Sequence, residues 1–206
     1  MSLEIIYEAV LNGDANTAGA ETQKALADGI PAADILHQAC VPAMTKVGEL
    51  FEAGEKFVPE MLISARAMQA AMEVLKPKLV DAGVESAGKV VIGTVAGDLH
   101  DIGKNLVAMM YKGAGFEVVD LGVDVAPEKF VQASDEGAEI VGLSALLTTT
   151  MVQMKNVIES LKEKGSKAKI IVGGAPVTQN YSDEIGASGY AADAASAVEI
   201  GKALIK

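Results

Sequence analysis

The sequence predicts an α/β chain in two parts, a four-helix bundle followed by a doubly wound parallel sheet. Residues 1 to about 80 carry apolar residues at helical spacing and no strand-like run. The rest carries four short β-branched runs, each apolar almost throughout, as in parallel strands covered on both faces. Helical segments separate these runs, and such alternation builds a parallel sheet.

Taken in order, Leu3, Ile6, Tyr7, Val10 and Leu11 share one face of a first helix. Gly13-Asp14 breaks it, and Asp14 suits the N-cap of a second, alanine-rich helix from Ala15 to about Ala27, stopped by Gly29. Pro31 suits the first turn of a third helix, striped by Ile35, Leu36, Ala39, Cys40, Ala43, Met44, Val47 and Leu50. The segment FEAGEKFVPE interrupts that stripe. Pro59 opens a fourth helix, with Met61, Leu62, Ala65, Met68, Ala71, Met72 and Leu75 inward. Short connections between four helices make a small bundle. Pro77 and then residues 81–88 read as a linker to the second part, 89–206. Strands are expected over 89–95, 116–122, 138–145 and 168–175, with helices over 103–113, 127–136 and 151–164. A short fifth strand at Gly189-Tyr190 and a last helix over 192–204 complete a sheet of the flavodoxin or Rossmann type.

Composition narrows the function. The net charge of −11 argues against nucleic-acid binding and against an anionic membrane surface, since both need clustered Lys and Arg. Cys40 is the only cysteine, so neither an intrachain disulfide nor a thiolate cluster can form within one chain. No signal peptide or membrane-spanning run is evident, and a cytoplasmic protein is expected.

In open parallel sheets, ligands bind at the carboxyl ends of the strands. That rule selects three loops. The first strand ends in GDLHDIG, Gly97 to Gly103. A histidine there suits a metal ligand, a general base or a helix cap. Metal-bound imidazoles give their other ring N–H to a carboxylate, and Asp98 is close enough in sequence to accept it. One His and one Asp do not make a zinc site, so a metal held here has to bring ligands of its own. The third strand ends in Ser144, Thr148, Thr149 and Thr150, which can cap a helix or bond a polar ligand or Asp98. The fourth ends in Gly173-Gly174, a turn or a passage for something bulky. His37, beside the stripe of the third helix, reads as structural or surface.

Together these residues resemble the cobalamin-binding fold, whose motif is DxHxxG, then SxL, then GG. Here that is Asp98-Leu99-His100-Asp101-Ile102-Gly103, Ser144-Ala145-Leu146 and Gly173-Gly174, separated by 104–143 and 147–172. The segment VGELFEAGEKFVPEMLISARAM, Val47 to Met68, resembles the helical cap of methionine synthase and of small methyl-carrying corrinoid proteins. The resemblance covers residues 3 to 204.

It implies cobalamin bound base-off and His-on. His100 becomes the lower cobalt ligand and Asp98 its partner. Ser144 and Thr148 contact the corrin or its nucleotide tail, and Gly173 and Gly174 leave room for the tail. Leu99, Asp101, Ile102, Gly103 and Leu146 fall at the cofactor by their place in the motif. A serine often bonds the motif aspartate in this family, and Thr150 occupies its place here. In the cap, Phe51 and Val58 fall over the methyl group, with Phe57 and Met61 nearby. All four also fit ordinary bundle core, the preferred reading for Met61. The implied function is a non-catalytic methyl carrier. A substrate:corrinoid methyltransferase loads it from methanol, a methylamine, a quaternary amine or an aryl methyl ether. A methylcorrinoid:acceptor methyltransferase passes the methyl to tetrahydrofolate or a thiol such as coenzyme M, and a reductive activator restores oxidised cobalt. A cobalamin-dependent sensor and an adenosylcobalamin mutase subunit share the fold. The sensor usually adds a DNA-binding domain, and the mutase subunit generally lacks this cap.

Overall fold

A computed structural model describes residues 2–83 and 86–206. The chain divides into two compact units, Met1–Ala87 with Gly113–Gly115, and Gly88–Lys112 with Phe116–Lys206.

The first unit is helical. It comprises α1 (Ser2–Asn12), α2 (Ala15–Ala27), α3 (Ala32–Ile35), a π turn (Leu36–Cys40), α4 (Val41–Glu52) and α5 (Val58–Asp81). Helix α1 buries Ile6, Ala9 and Val10. Asp14 caps α2 by accepting from the Thr17 amide at 3.0 Å and the Thr17 hydroxyl at 2.7 Å. The expected third helix is present but widens by one residue over 36–40, where the Val41 amide donates to the Leu36 carbonyl. Pro42 follows directly; it has no amide to donate and its ring crowds the preceding turn, which the wider turn relieves. Helix α5 runs through Pro77 to Asp81, past the stop expected there. Pro77 and Glu73, whose carbonyl loses its partner, both face solvent, so water can satisfy the gap. Its buried stripe is Met61, Ser64, Ala67, Met68, Ala71, Leu75 and Leu79; Leu62, Ala65 and Met72 are only half-buried. Of the expected linker 81–88, Asp81 ends α5, and Val84 and Glu85 lie outside the described residues.

The second unit is a five-stranded parallel sheet in the order β2-β1-β3-β4-β5. Its strands are β1 (Lys89–Thr94), β2 (Glu117–Asp120), β3 (Ile140–Ser144), β4 (Lys169–Gly173) and β5 (Gly189–Ala191). The helices are α6 (Ile102–Gly113), α7 (Pro127–Asp135), α8 (Val152–Glu163), α9 (Gln179–Ile185) and α10 (Ala194–Leu204). Helix α9 was not expected; it is short and polar, and Thr178 caps it by accepting from the Tyr181 amide. The sheet face bearing Val91, Val141, Leu143, Ile170 and Val172 packs under α7, α8 and α9 with Phe130, Met154, Ile158 and Leu161. On the other face α6 and α10 meet, where the Tyr111 hydroxyl donates to the Ala197 carbonyl at 2.6 Å. Burial pushes the Tyr111 phenol far above its ordinary range, so it stays a donor.

The register sets the site. Thr94, Ser144, Gly173 and Ala191 stand side by side at the carboxyl ends of β1, β3, β4 and β5. The face shared with α6 and α10 therefore ends in small side chains. Among the described residues, no helix is long and apolar enough to cross a membrane.

Gly93 is fixed by the opposite face: a Cβ there would lie 2.8 Å from the buried Phe130 ring. Gly93→Ala is therefore expected to cost about 1–3 kcal/mol, read as a lowered urea midpoint at unchanged slope. An unchanged midpoint would show that the ring can move aside.

Candidate functional site

The loop between β1 and α6 begins after Thr94, the last residue of β1. Thr94 is buried, and its hydroxyl donates to the His100 carbonyl at 2.9 Å, closing the loop on its own root. Gly97 adopts φ +80°, a conformation that favours glycine. The turn that follows puts Asp98 inside and His100 outside. Asp98 has no exposed surface, whereas half of the His100 side chain is exposed.

Asp98 divides its two oxygens between two tasks. Oδ1 accepts from His100 Nδ1 at 2.7 Å and from the His100 amide at 3.1 Å. Oδ2 accepts from the Leu146 amide at 2.8 Å, the Leu147 amide at 3.3 Å and the Thr150 hydroxyl at 2.7 Å. Burial alone would raise this carboxyl, but the bonds from Thr150, Leu146 and His100 outweigh it and hold the group well below the usual carboxylate range. The ionised acceptor fixes the proton of a neutral imidazole on Nδ1. The lone pair is then on Nε2, the nitrogen turned away from the carboxylate.

Of the hydroxyls expected in the second loop, Thr150 reaches Asp98. Ser144 is half-buried and Thr148 exposed, and neither hydroxyl has a hydrogen-bond partner among the described residues. Helix α8 starts at Val152 without a side-chain cap, so these threonines are not its caps. In the third loop, Gly174 has φ +134°, and a Cβ there would collide with the Ala145 carbonyl oxygen. The room at Gly174 is therefore taken by the chain's own backbone, and the glycine lets two loops close on each other. Gly173 is less confined: its Cβ would lie 3.1 Å from the Ala191 carbonyl.

Asp101 precedes the first residue of α6, and its carboxylate accepts from the Asn105 amide group at 3.0 Å. Gly103 borders open space. Around the imidazole, Leu99 is 71% and Ile102 75% exposed, and Leu146, Leu147 and Val152 are also exposed. Large aliphatic side chains grouped at a strand-end edge mark a ligand surface. In the helical unit Phe51 and Val58 are half-buried and Phe57 is exposed. Met61 is buried in the bundle core at 2% exposure, which removes it from any surface that meets a ligand. Cys40 is buried too, its thiol pushed up to about 12, and it carries no thiolate chemistry.

Other contributors had no legible signal. The Leu146 and Leu147 donors are backbone groups. Lys104 is buried, and its ammonium is held by both oxygens of Asp120 at 2.7 and 2.6 Å and by Asn105 Oδ1 at 2.6 Å.

The donor set fits a metal that arrives with its own macrocycle. Among the described residues, no group of three or more His, Cys, Asp or Glu side chains could hold a bare ion. One imidazole with a free Nε2, an aliphatic surface around it and the unpartnered Ser144 and Thr148 hydroxyls at and after the end of β3 suit a large, flat cofactor. Two B12 binding domain models match the chain, one over residues 88–199 and one over 3–76. The chain belongs to the B12-binding corrinoid proteins. A corrinoid protein of Desulfitobacterium hafniense is 41% identical over 98% of this chain and 97% of its own length. A trimethylamine corrinoid protein of Methanosarcina acetivorans is 44% identical over 98% of this chain and 97% of its own. The crystal structure of a methanol:cobalamin methyltransferase complex from Methanosarcina barkeri matches with a TM-score of 0.88 at 32% identity, covering 99% of this chain and 79% of that one. The cofactor of this corrinoid protein is thus of the cobalamin type.

Thr150→Val keeps shape but removes a hydrogen bond to a buried charge. It is expected to cost about 1.5–3 kcal/mol in the apoprotein, while Thr150→Ser stays close to wild type. Denaturant unfolding of both variants checks this; equal stability of Val and wild type would mean that Asp98 does not depend on the hydroxyl.

Proposed function

We propose that this corrinoid protein is a methyl carrier that binds cobalamin base-off and His-on, with His100 Nε2 as the lower cobalt ligand. One observation carries the reading: an exposed imidazole at a strand end, anchored through Nδ1 to a buried carboxylate and open at Nε2. When bound, the cofactor supplies a cobalt centre that takes a methyl group from an activated donor and yields it to a nucleophile.

The chain's own residues do the rest. Asp98 holds the proton on Nδ1 and makes His100 a better donor at Nε2. Thr150 and the Leu146 and Leu147 amides keep that carboxylate ionised and in place. Leu99, Ile102 and Leu146 offer apolar contact to the macrocycle and exclude water from beneath it. Ser144, Thr148 and the small row through Gly173 suit the polar, bulky nucleotide tail. In the helical unit, Phe57, Phe51 and Val58 supply the shield for a methyl group, Phe57 first because it is exposed.

A carrier needs partners that perform the chemistry on either side. A substrate:corrinoid methyltransferase loads it, a second methyltransferase passes the methyl to tetrahydrofolate or a thiol, and a reductive activator repairs oxidised cobalt. The methanol:cobalamin methyltransferase complex among the similar structures supports the first partner. The trimethylamine and dimethylamine corrinoid proteins among its relatives support a small methylated compound as donor.

Loading the purified apoprotein with cobalamin tests the reading. Wild type is expected to retain the cofactor through gel filtration with a base-off, His-on visible spectrum. His100→Ala is expected to lose the His-on features and at least about tenfold in retention. Failure of wild type to retain cobalamin would contradict the proposal. Phe57→Ala is expected to speed photolysis of bound methylcobalamin without changing retention; an unchanged rate would remove Phe57 from the shield.

A further inference from the structure

The loop that carries His100 is held on one side by the β3–α8 loop, through the Asp98 carboxylate. The other side also has a fastening, from the segment between β2 and α7. Asp124 lies there, and it is the one non-glycine among the described residues with a positive φ, at 52°. Side chains other than glycine rarely adopt this conformation, and Asp and Asn are among those that tolerate it. Such a conformation persists where its surroundings hold it in place.

The surroundings here are the two residues that lead into the histidine. The Asp124 amide donates to the Asp98 carbonyl at 3.0 Å. Its carboxylate accepts from the Gly97 amide at 2.7 Å. The next amide, Val125, donates to the Thr94 carbonyl at 3.0 Å, and Val95 and Val125 form an isolated parallel bridge. Parallel pairing of β1 with the β2 side thus extends past the ends of both strands to Val125, and Asp124, directly before that bridge, turns to cap Gly97. A second fastening lies just before that segment, at the end of β2. Asp120 holds the buried Lys104 ammonium in the first turn of α6, just beyond His100. The end of β2 and the segment after it therefore grip the histidine loop at both ends, at Gly97-Asp98 and at Lys104.

We propose that Asp124 is a positioning residue for His100: its αL backbone and carboxylate set where the Gly97–Asp98 turn stands, and so how far Nε2 projects from the sheet edge. This rests on the axial role proposed for His100. An imidazole donates to a metal only over a narrow range of distance and direction. A loop free to slide would let the side chain leave its ligand position, whereas a loop fixed on both sides keeps it there.

The experiment compares Asp124→Gly, Asp124→Ala and Asp124→Asn with wild type. Glycine adopts the same φ without strain but cannot bond Gly97; alanine is a second deletion; asparagine keeps both the carbonyl acceptor and the tolerance for αL. Two readouts are used. In the apoprotein, exchange of the Gly97 amide hydrogen is expected to be roughly tenfold faster in the Gly and Ala variants and near wild type in Asn. In the cobalamin-loaded protein, the His-on fraction of the visible spectrum is expected to fall in Gly and Ala and to be retained in Asn. If wild type loads His-on and the Gly and Ala variants match it, the positioning role is overturned while the ligand assignment stands. If wild type itself is not His-on, the ligand assignment fails and this role fails with it. A merely structural role would lower the stability of all three variants without separating asparagine from the other two in the His-on fraction.

Discussion

A carboxylate without solvent must be surrounded by donors, and the second unit is organised around meeting that demand at Asp98. Removing such a group from water is unfavourable by several kcal/mol unless hydrogen bonds replace its hydration. Here the replacement comes from two separate stretches of chain. The Leu146 and Leu147 amides and the Thr150 hydroxyl come from the β3–α8 loop, and the His100 amide and ring come from its own turn. The conformations of these loops are therefore coupled through one charged group. The result is a histidine whose ring is fixed at one nitrogen and available at the other.

The sheet supplies the geometry for this arrangement. All five strands are parallel, so every strand-end loop opens on one edge. The alignment of Thr94, Ser144, Gly173 and Ala191 reduces side-chain volume along that edge on the α6 and α10 face. Gly174 permits the Ala145 backbone to pass where any side chain would block it. The fold thus offers two kinds of space close together: an exposed aliphatic surface around His100 and a low wall of small residues below it. Both suit the flat macrocycle and polar tail of the cofactor proposed to bind there.

Much of this was legible in the sequence, for identifiable reasons. Runs such as KVVIG and KIIVG announce strands covered on both faces because such strands have no solvent side to pattern. The three motif loops were legible because their positions follow from strand ends and their residue types are unusual there. What stayed hidden was carried by backbone or by exceptions to local rules. Helix α9, QNYSDEI, is too short and too polar to show a period. The π turn before Pro42 shifts the helical stripe by one residue, less than periodicity can detect. Pro77 reads as a stop but lies where solvent tolerates it inside α5. The Leu146 and Leu147 donors have no side-chain signature, and Asp124 looks like any turn aspartate until its φ is known.

The central claim is that His100 Nε2 is the lower axial ligand of the bound cofactor. Electron paramagnetic resonance of the loaded protein in its Co(II) state reads that ligand directly, because an axial nitrogen splits the cobalt lines. The measurement compares protein grown with ordinary histidine against protein grown with nitrogen-15 histidine. The account predicts that the nitrogen splitting changes from triplet to doublet on labelling. A triplet that persists would assign the ligand to the cofactor's own base, and its absence would leave cobalt without an axial nitrogen; either result would contradict the account.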